Sequence, residues 1–127
     1  MMRMLLSDST IQVLERSLEV RSRAQELIAA NLANLETPHY RRKEVNFPQA
    51  MKQAVEGAQG VRLAVSHERH LPGTRLEPAL VRETAKPVDL DQEMVQLSQN
   101  HLGYQASVTM LNKKLDELRT VIEGGKI

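Results

Sequence analysis

The sequence predicts a mainly α protein: long N- and C-terminal helices packed as an antiparallel coiled-coil pair, joined by a Pro-rich connector with a short helix and little β. Three observations carry that expectation. Ala, Glu, Lys, Leu and Arg supply 57 of the 127 residues, close to the half that marks long helices. Two Tyr, one Phe and no Trp leave little bulk for a globular core. Pro38, Pro48, Pro72, Pro78 and Pro87 all fall in the middle, so both ends are free of proline. The expected division is a helical domain of residues 1–35 and 88–127, with an extended connector of 36–87.

In the N-terminal segment, Ser9-x-x-Gln12 has the form of a capping box, and helical spacing continues to Leu35. Ile11, Leu14, Leu18, Ile28, Leu32 and Leu35 share one seam, interrupted by Arg21 and Gln25. A second stripe comprises Val13, Val20, Ala24 and Leu27. Two partial stripes suit a helix with neighbours on more than one side; a single broad amphipathic face fits the periodicity equally well. The end of this helix is sharply specified. Asn31 and Asn34 are three apart and project from one face, where their amides can satisfy groups that the last turn leaves free. Thr37-Pro38 then blocks continuation, because proline lacks an N–H and pushes the preceding residue into extended geometry.

In the connector, Phe47 to Val55 reads as a short helix ended by Gly57, and Val61-Arg62-Leu63-Ala64-Val65 alternates like a strand. The rest reads as extended, Pro-punctuated chain. The C-terminal segment has the cleanest pattern. Leu90, Met94, Leu97, His101, Tyr104, Val108, Leu111, Leu115, Leu118 and Ile122 follow a 4-3 spacing without a break, an a/d seam of more than four heptads. Asp89-x-x-Gln92 starts this helix in capping-box style, and Gly124-Gly125 ends it. A helix this long is marginal alone in water and needs a partner, for which the N-terminal helix is the obvious candidate.

Composition excludes several function classes. The formal net charge is +1, and residues 36–87 are only mildly basic, which argues against a dedicated nucleic-acid binder. With no cysteine there is no disulfide and no thiolate chemistry. Met1 to Leu6 is too short for a signal-peptide core, and no transmembrane run follows. His67-Glu68-Arg69-His70 is one residue short of the zincin spacing, so neither a metal nor any other cofactor is expected. Asp89, Asp91 and Glu93 sit at a helix start, where the macrodipole favours acids without any catalytic role. No catalytic constellation is evident. His101 in the seam reads as a register-setting polar residue, and Arg41-Arg42-Lys43 as a solvated turn or a strip that bridges to an acidic neighbour.

One string is far more specific. Residues 29–40, Ala-Ala-Asn-Leu-Ala-Asn-Leu-Glu-Thr-Pro-His-Tyr, resemble the N-terminal signature of the bacterial flagellar axial proteins, the rod and hook family. Ala30, Asn31, Leu32, Ala33, Asn34, Thr37, Pro38 and Tyr40 match all its fixed positions. Val88-Asp89-Leu90-Asp91-x-Glu93 and Ser66-His67-x-x-His70-Leu71-Pro72 are similar to the short proximal rod proteins of that family, although the stretch from Pro72 to Pro87 is shorter than its pattern.

The resemblance implies a non-enzymatic structural subunit of the flagellar basal body, in the periplasmic portion of the rod. It implies terminal helices in an inner coiled-coil layer around an export channel, and secretion of the unfolded chain by the flagellar type III apparatus. The partners it implies are other copies of the chain, other proximal rod proteins, the rod/export-gate adaptor and the export gate itself. No nucleic acid or small-molecule substrate is implied. Phe47-Pro-Gln-Ala-Met51 matches the Phe-x-x-x-apolar export-gate motif of such proteins. The alternative reading is a cytoplasmic coiled-coil interaction protein whose basic connector contacts RNA.

Overall fold

The computed structural model describes the main chain of residues 2–60 and 80–124, and the side chains of 9–57 and 80–124. In chain order its elements are α1 (Met2–Ala33), β1 (Lys43–Val45), α2 (Phe47–Gly60), β2 (Val81–Glu83) and α3 (Leu90–Gly124). At 1.5 Å per residue, α1 and α3 are each roughly 50 Å long. They form the antiparallel hairpin the sequence predicts. Asn31 meets Glu93 near one end and Ser17 meets Ser107 along the shaft, so the two helices advance in step in opposite directions.

Boundaries differ from the sequence reading in instructive ways. Helix α1 starts at Met2, which puts Ser9-x-x-Gln12 inside it rather than at its cap. The Met-Arg-Met-Leu-Leu run before Ser9 consists of good helix formers, and nothing there stops propagation. The helix ends at Ala33, two residues before Leu35, in a turn over 34–36. Helix α2 runs through Gly57 to Gly60. A Cβ at Gly57 would meet open space, so that glycine lowers propensity without forcing a break. Asn46 caps this helix, its Oδ1 accepting from the Gln49 N–H at 3.3 Å and its carbonyl from the Ala50 N–H at 3.0 Å.

Helix α3 opens on Asp89, whose Oδ1 accepts from the Asp91 N–H at 3.0 Å. Strands β1 and β2 pair antiparallel in the register Lys43↔Glu83, Glu44↔Arg82 and Val45↔Val81. Asn46 N to Leu80 O and Thr84 N to Arg42 O, both 2.8 Å, extend that ladder at either end. Three-residue strands are too short to leave an alternation in sequence. The alternating segment at 61–65 and the His67–His70 cluster lie outside the described residues.

A small apolar core of Val20, Ala50 and Leu80, flanked by Val45 and Phe47, joins α1 to α2 and the ribbon. Val20 and Leu27 of the second α1 stripe are buried, and α1 packs against α3, α2 and β1. The α1–α3 contact is the larger surprise. The residues that α3 buries are Glu93, Asn100 and Ser107, all polar and spaced one heptad apart. Leu97, Val108, Leu111 and Leu118 of the expected seam are half-buried. Leu90, Met94, His101, Tyr104, Leu115 and Ile122 are exposed in the single chain, Ile122 by 57%. The face turned to α1 is thus rotated from the 4-3 seam. Glu93, Asn100 and Ser107 find polar partners on α1, and an apolar residue there would strand those partners. On α1, Ile28 is buried while Leu14, Leu18 and Leu32 are half-buried.

Candidate functional site

At the end of α1 the chain turns through a continuous set of hydrogen bonds. The Asn34 side chain folds back, its Nδ2 donating at 2.8 Å to the Ala30 carbonyl, which also accepts from the Asn34 N–H at 3.1 Å. Its Oδ1 accepts from the Thr37 hydroxyl at 3.1 Å, and its carbonyl from the Thr37 N–H at 3.0 Å. A second turn follows, closed by Tyr40 N to Thr37 O at 3.3 Å, with Pro38 and His39 at its centre. His39 has φ 62°. Proline at the first central position and positive φ at the second is the type II arrangement. A left-handed residue other than Gly is uncommon, although His is among the types enriched there.

Asn31 is wholly buried and fills every hydrogen-bonding valence it has. Its Nδ2 donates to the Lys43 carbonyl at 2.8 Å and to Oε2 of Glu93 at 3.3 Å. Its Oδ1 accepts from the Lys43 N–H at 3.0 Å and the Tyr40 hydroxyl at 3.1 Å. These partners fix the amide orientation, since a flipped amide would set NH2 against N–H and oxygen against carboxylate. The side chain therefore acts as an extra strand beside Lys43, fastening β1 to α1. Sequence reasoning placed this amide on groups that the last turn of the helix leaves free; the structure sends it to the strand.

Glu93 is also wholly buried, and its Oε1 accepts from Nε of Arg42. The Arg42 guanidinium donates from a second nitrogen to Glu44 at 2.7 Å, and Glu44 accepts from Arg82 at 2.6 Å. The polar chain Tyr40–Asn31–Glu93–Arg42–Glu44–Arg82 thereby joins α1, α3 and both strands. Burial by itself would lower the Arg42 pKa, but its hydrogen bonds to Glu44 and Glu93 outweigh that and hold it above the ordinary value. For Glu44, burial pushes upward, and the hydrogen bonds from Arg42 and Arg82 bring it below the usual carboxylate range. Arg42 is thus spent on carboxylates inside the fold, and Arg41-Arg42-Lys43 does not offer the row of free cations that an RNA contact needs.

Further along the hairpin the two helices touch through small and polar groups. Asn100 Nδ2 donates to the Arg21 carbonyl at 2.8 Å, and the Ser17 and Ser107 hydroxyls meet at 3.1 Å. Gly103 leaves room for the Arg21 guanidinium, which a Cβ at that position would strike. The same guanidinium lies 4.5 Å from the centroid of the Phe47 ring. Arg21, which breaks the N-terminal seam in sequence, is therefore a packing residue. A cleft of about 180 Å³ opens here, lined by residues of α1, β1, α3 and the first turn of α2.

Of the signature residues, Asn31, Asn34, Thr37 and Tyr40 converge in the joint, while Leu32 is half-buried and Ala33 and Pro38 are exposed. Phe47 and Met51 are half-buried on one side of α2. Sequence reasoning missed the roles of Glu93, Asn100, Ser107 and His39, while Arg42 takes the second of its two expected forms, a bridge to acidic neighbours. The heptad spacing of 93, 100 and 107 was the available signal for the buried polar stripe. Among the described residues no group of His, Asp and Glu is placed to hold a metal ion, and no helix is long and apolar enough to cross a membrane.

A hairpin of terminal helices, closed by a joint built from the Asn-x-x-Asn-x-x-Thr-Pro-x-Tyr residues, is the build of a bacterial flagellar axial protein of the rod class. No family model matches the chain. It is 33% identical over 130 residues to the flagellar basal body rod protein FlgB of Bacillus subtilis, covering 97% of this chain and 100% of that one. It is 31% identical over 132 residues to FlgB of Salmonella typhimurium and 30% identical to FlgB of Proteus mirabilis, each match covering 93% of this chain and 96% of the relative. The chain belongs to the FlgB family of flagellar basal body rod proteins.

Proposed function

We propose that the chain is a non-enzymatic structural subunit of the proximal rod, in the periplasmic portion of the flagellar basal body. It is exported unfolded by the flagellar type III apparatus, assembles around the export channel and forms part of the shaft that transmits torque. Its partners are its own copies, other proximal rod proteins, the rod/export-gate adaptor and the export gate, which reads Phe47 and Met51 in the unfolded chain. Neither nucleic acid nor a small-molecule substrate is among them.

The observation that carries this reading is the joint. Asn31 and Asn34 set one exit direction from a helix whose partner, α3, presents a long exposed apolar stripe. Leu90, Met94, Tyr104, Leu115 and Ile122 on that stripe suit packing between subunits, which a soluble monomer does not need.

The test compares protein exported to the medium or periplasm with protein retained in purified basal bodies. Asn34→Leu removes the cap on Ala30 and the acceptor for Thr37, so the expected result is normal export with lost incorporation. Pro38→Ala should be milder, because it only permits the helix to extend, at a propensity difference of about 3 kcal/mol. Wild-type protein absent from basal bodies, or an Asn34→Leu chain that halts export yet assembles when supplied already exported, would overturn the reading.

A further inference from the structure

Helix α3 is attached to the rest of the chain by different means from the other elements. The apolar core of Val20, Ala50 and Leu80, with Val45 and Phe47 against it, takes no residue from α3. The buried residues of α3 are the polar Glu93, Asn100 and Ser107, and its apolar share of the contact is the half-burial of Leu97, Val108, Leu111 and Leu118. Its covalent link is loose as well. The ribbon ends on Thr84 N to Arg42 O at 2.8 Å, and the next backbone bond, Glu93 N to Asp89 O, already belongs to the start of α3. Ala85, Lys86 and Pro87 are exposed, and among the described residues no backbone hydrogen bond ties 85–88 to the fold. Pro87 disfavours helix at Lys86, so the link stays separate from α3.

We infer that α3 exchanges between copies: it leaves α1 as a unit, pivots on residues 85–88 and docks on α1 of a second chain, whose own α3 returns the contact. The occupant is specified by bonds the single chain already makes. Glu93 accepts from Arg42 and Asn31, Asn100 donates to the Arg21 carbonyl at 2.8 Å, and the Ser107 and Ser17 hydroxyls meet at 3.1 Å. None of these bonds requires both helices to share a chain, whereas an unrelated helix would leave the Arg42 guanidinium and the Asn31 amide short of a partner. Reciprocal exchange fills both joints of the pair, and the apolar stripe of α3 stays outside in either state. In dilute solution the short link favours closure on the chain's own α1, and crowding of copies shifts the balance towards exchange.

The experiment uses the full chain. Chains carrying Ser17→Cys and chains carrying Ser107→Cys, mixed and oxidised, should give an interchain 17–107 disulfide whose yield rises with concentration, and neither population alone should. The chain carrying both substitutions is the control that this bond can close. Arg42→Glu and Glu93→Arg chains each set like charges at their own joint, but exchange between them restores an opposite pair at both joints. Their mixture should therefore form a helical heterodimer. In the wild type, hydrogen exchange should show amides from 97 to 111 opening about 100-fold more readily than those around Val20 and Ala50. No mixed disulfide where the control closes, or α3 amides as protected as those of the core, overturns the exchange; where the control does not close, absence of the charge-reversed heterodimer does so.

Discussion

Asn31 is the residue on which the joint can be tested most sharply. Asn31→Ala removes the amide that satisfies the Lys43 N–H, the Lys43 carbonyl and Oε2 of Glu93, all at a site with no solvent access to Asn31 itself. Each buried group left without a partner costs about 1–3 kcal/mol, and water entering the vacated space recovers part. The expected loss is about 3–5 kcal/mol, a large share of the ~5–15 kcal/mol of a typical domain. Asn31→Asp is nearly isosteric and keeps the acceptor for Lys43 N–H and Tyr40, yet it should behave differently. Its second oxygen replaces a donor and faces the Glu93 carboxylate, so one of the two acids must hold a proton.

The sign of the pH dependence follows. The carboxyl that Asn31→Asp introduces has a folded pKa raised above its unfolded value. Its contribution is favourable below the unfolded pKa and is lost as pH rises through the folded one. Asn31→Asp should therefore be the least stable variant at pH 7 and gain on Asn31→Ala as the solution is acidified. Adding Glu93→Gln restores a donor opposite the new acid and should recover part of the loss at neutral pH. Urea unfolding followed by circular dichroism gives the free energies, and hydrogen exchange at residues 43–45 reports whether the ribbon detaches first. An Asn31→Asp chain within about 0.5 kcal/mol of wild type at pH 7, or one indifferent to acid, would refute the buried-amide account.

Gly103→Ala should be neutral or harmful in the native chain because the new methyl displaces Arg21. Combined with Arg21→Ala it should stabilise by about 1 kcal/mol through helix propensity, a sign change that a thermal-melt cycle reads directly. Ser17→Cys with Ser107→Cys should form an intrachain disulfide in oxidised purified protein and stabilise by about 4 kcal/mol for a loop this long. Failure of that bond to form would refute the α1–α3 register. Glu44 titrates below its ordinary 4.5, so its contribution is complete above that pH and is lost as pH falls through the lower folded value. Glu44→Gln should accordingly flatten the acid limb of the stability profile.

The terminal-helix hairpin was legible because long helices leave sustained 4-3 spacing, and the stop near Asn34 was legible because Thr37-Pro38 has a fixed steric meaning. What escaped was the identity of the facing surfaces. Periodicity weighs Leu90, Met94 and Leu115 above Glu93 and Asn100, since it scores hydrophobicity and cannot see that a carboxylate and an amide have partners waiting on α1. Arg42 was legible only as a residue that bridges to an acidic neighbour. Its placement inside depends on Glu93, 51 residues away in sequence. The ribbon was missed because β1 is fastened as much by an Asn side chain as by β2, and such a bond has no sequence period.

A joint made of polar groups has a different consequence from an apolar one. The buried pair Arg42–Glu93 adds little net stability, because desolvating both charges offsets most of their attraction, yet separating the partners within the fold is expensive. Asn31 behaves alike: four hydrogen bonds exchanged with water are nearly neutral, while one misplaced residue leaves several buried groups unsatisfied. The energy therefore goes into specifying geometry more than into holding the fold. Wherever α1, α3 and β1 come together they do so in one arrangement, and the apolar core of Val20, Ala50 and Leu80 is too small to enforce another. That combination suits the export and assembly proposed above, in which the chain is threaded unfolded and then takes up a fixed place in a rod. The direction in which the chain leaves α1 is set as soon as Asn31 finds Lys43.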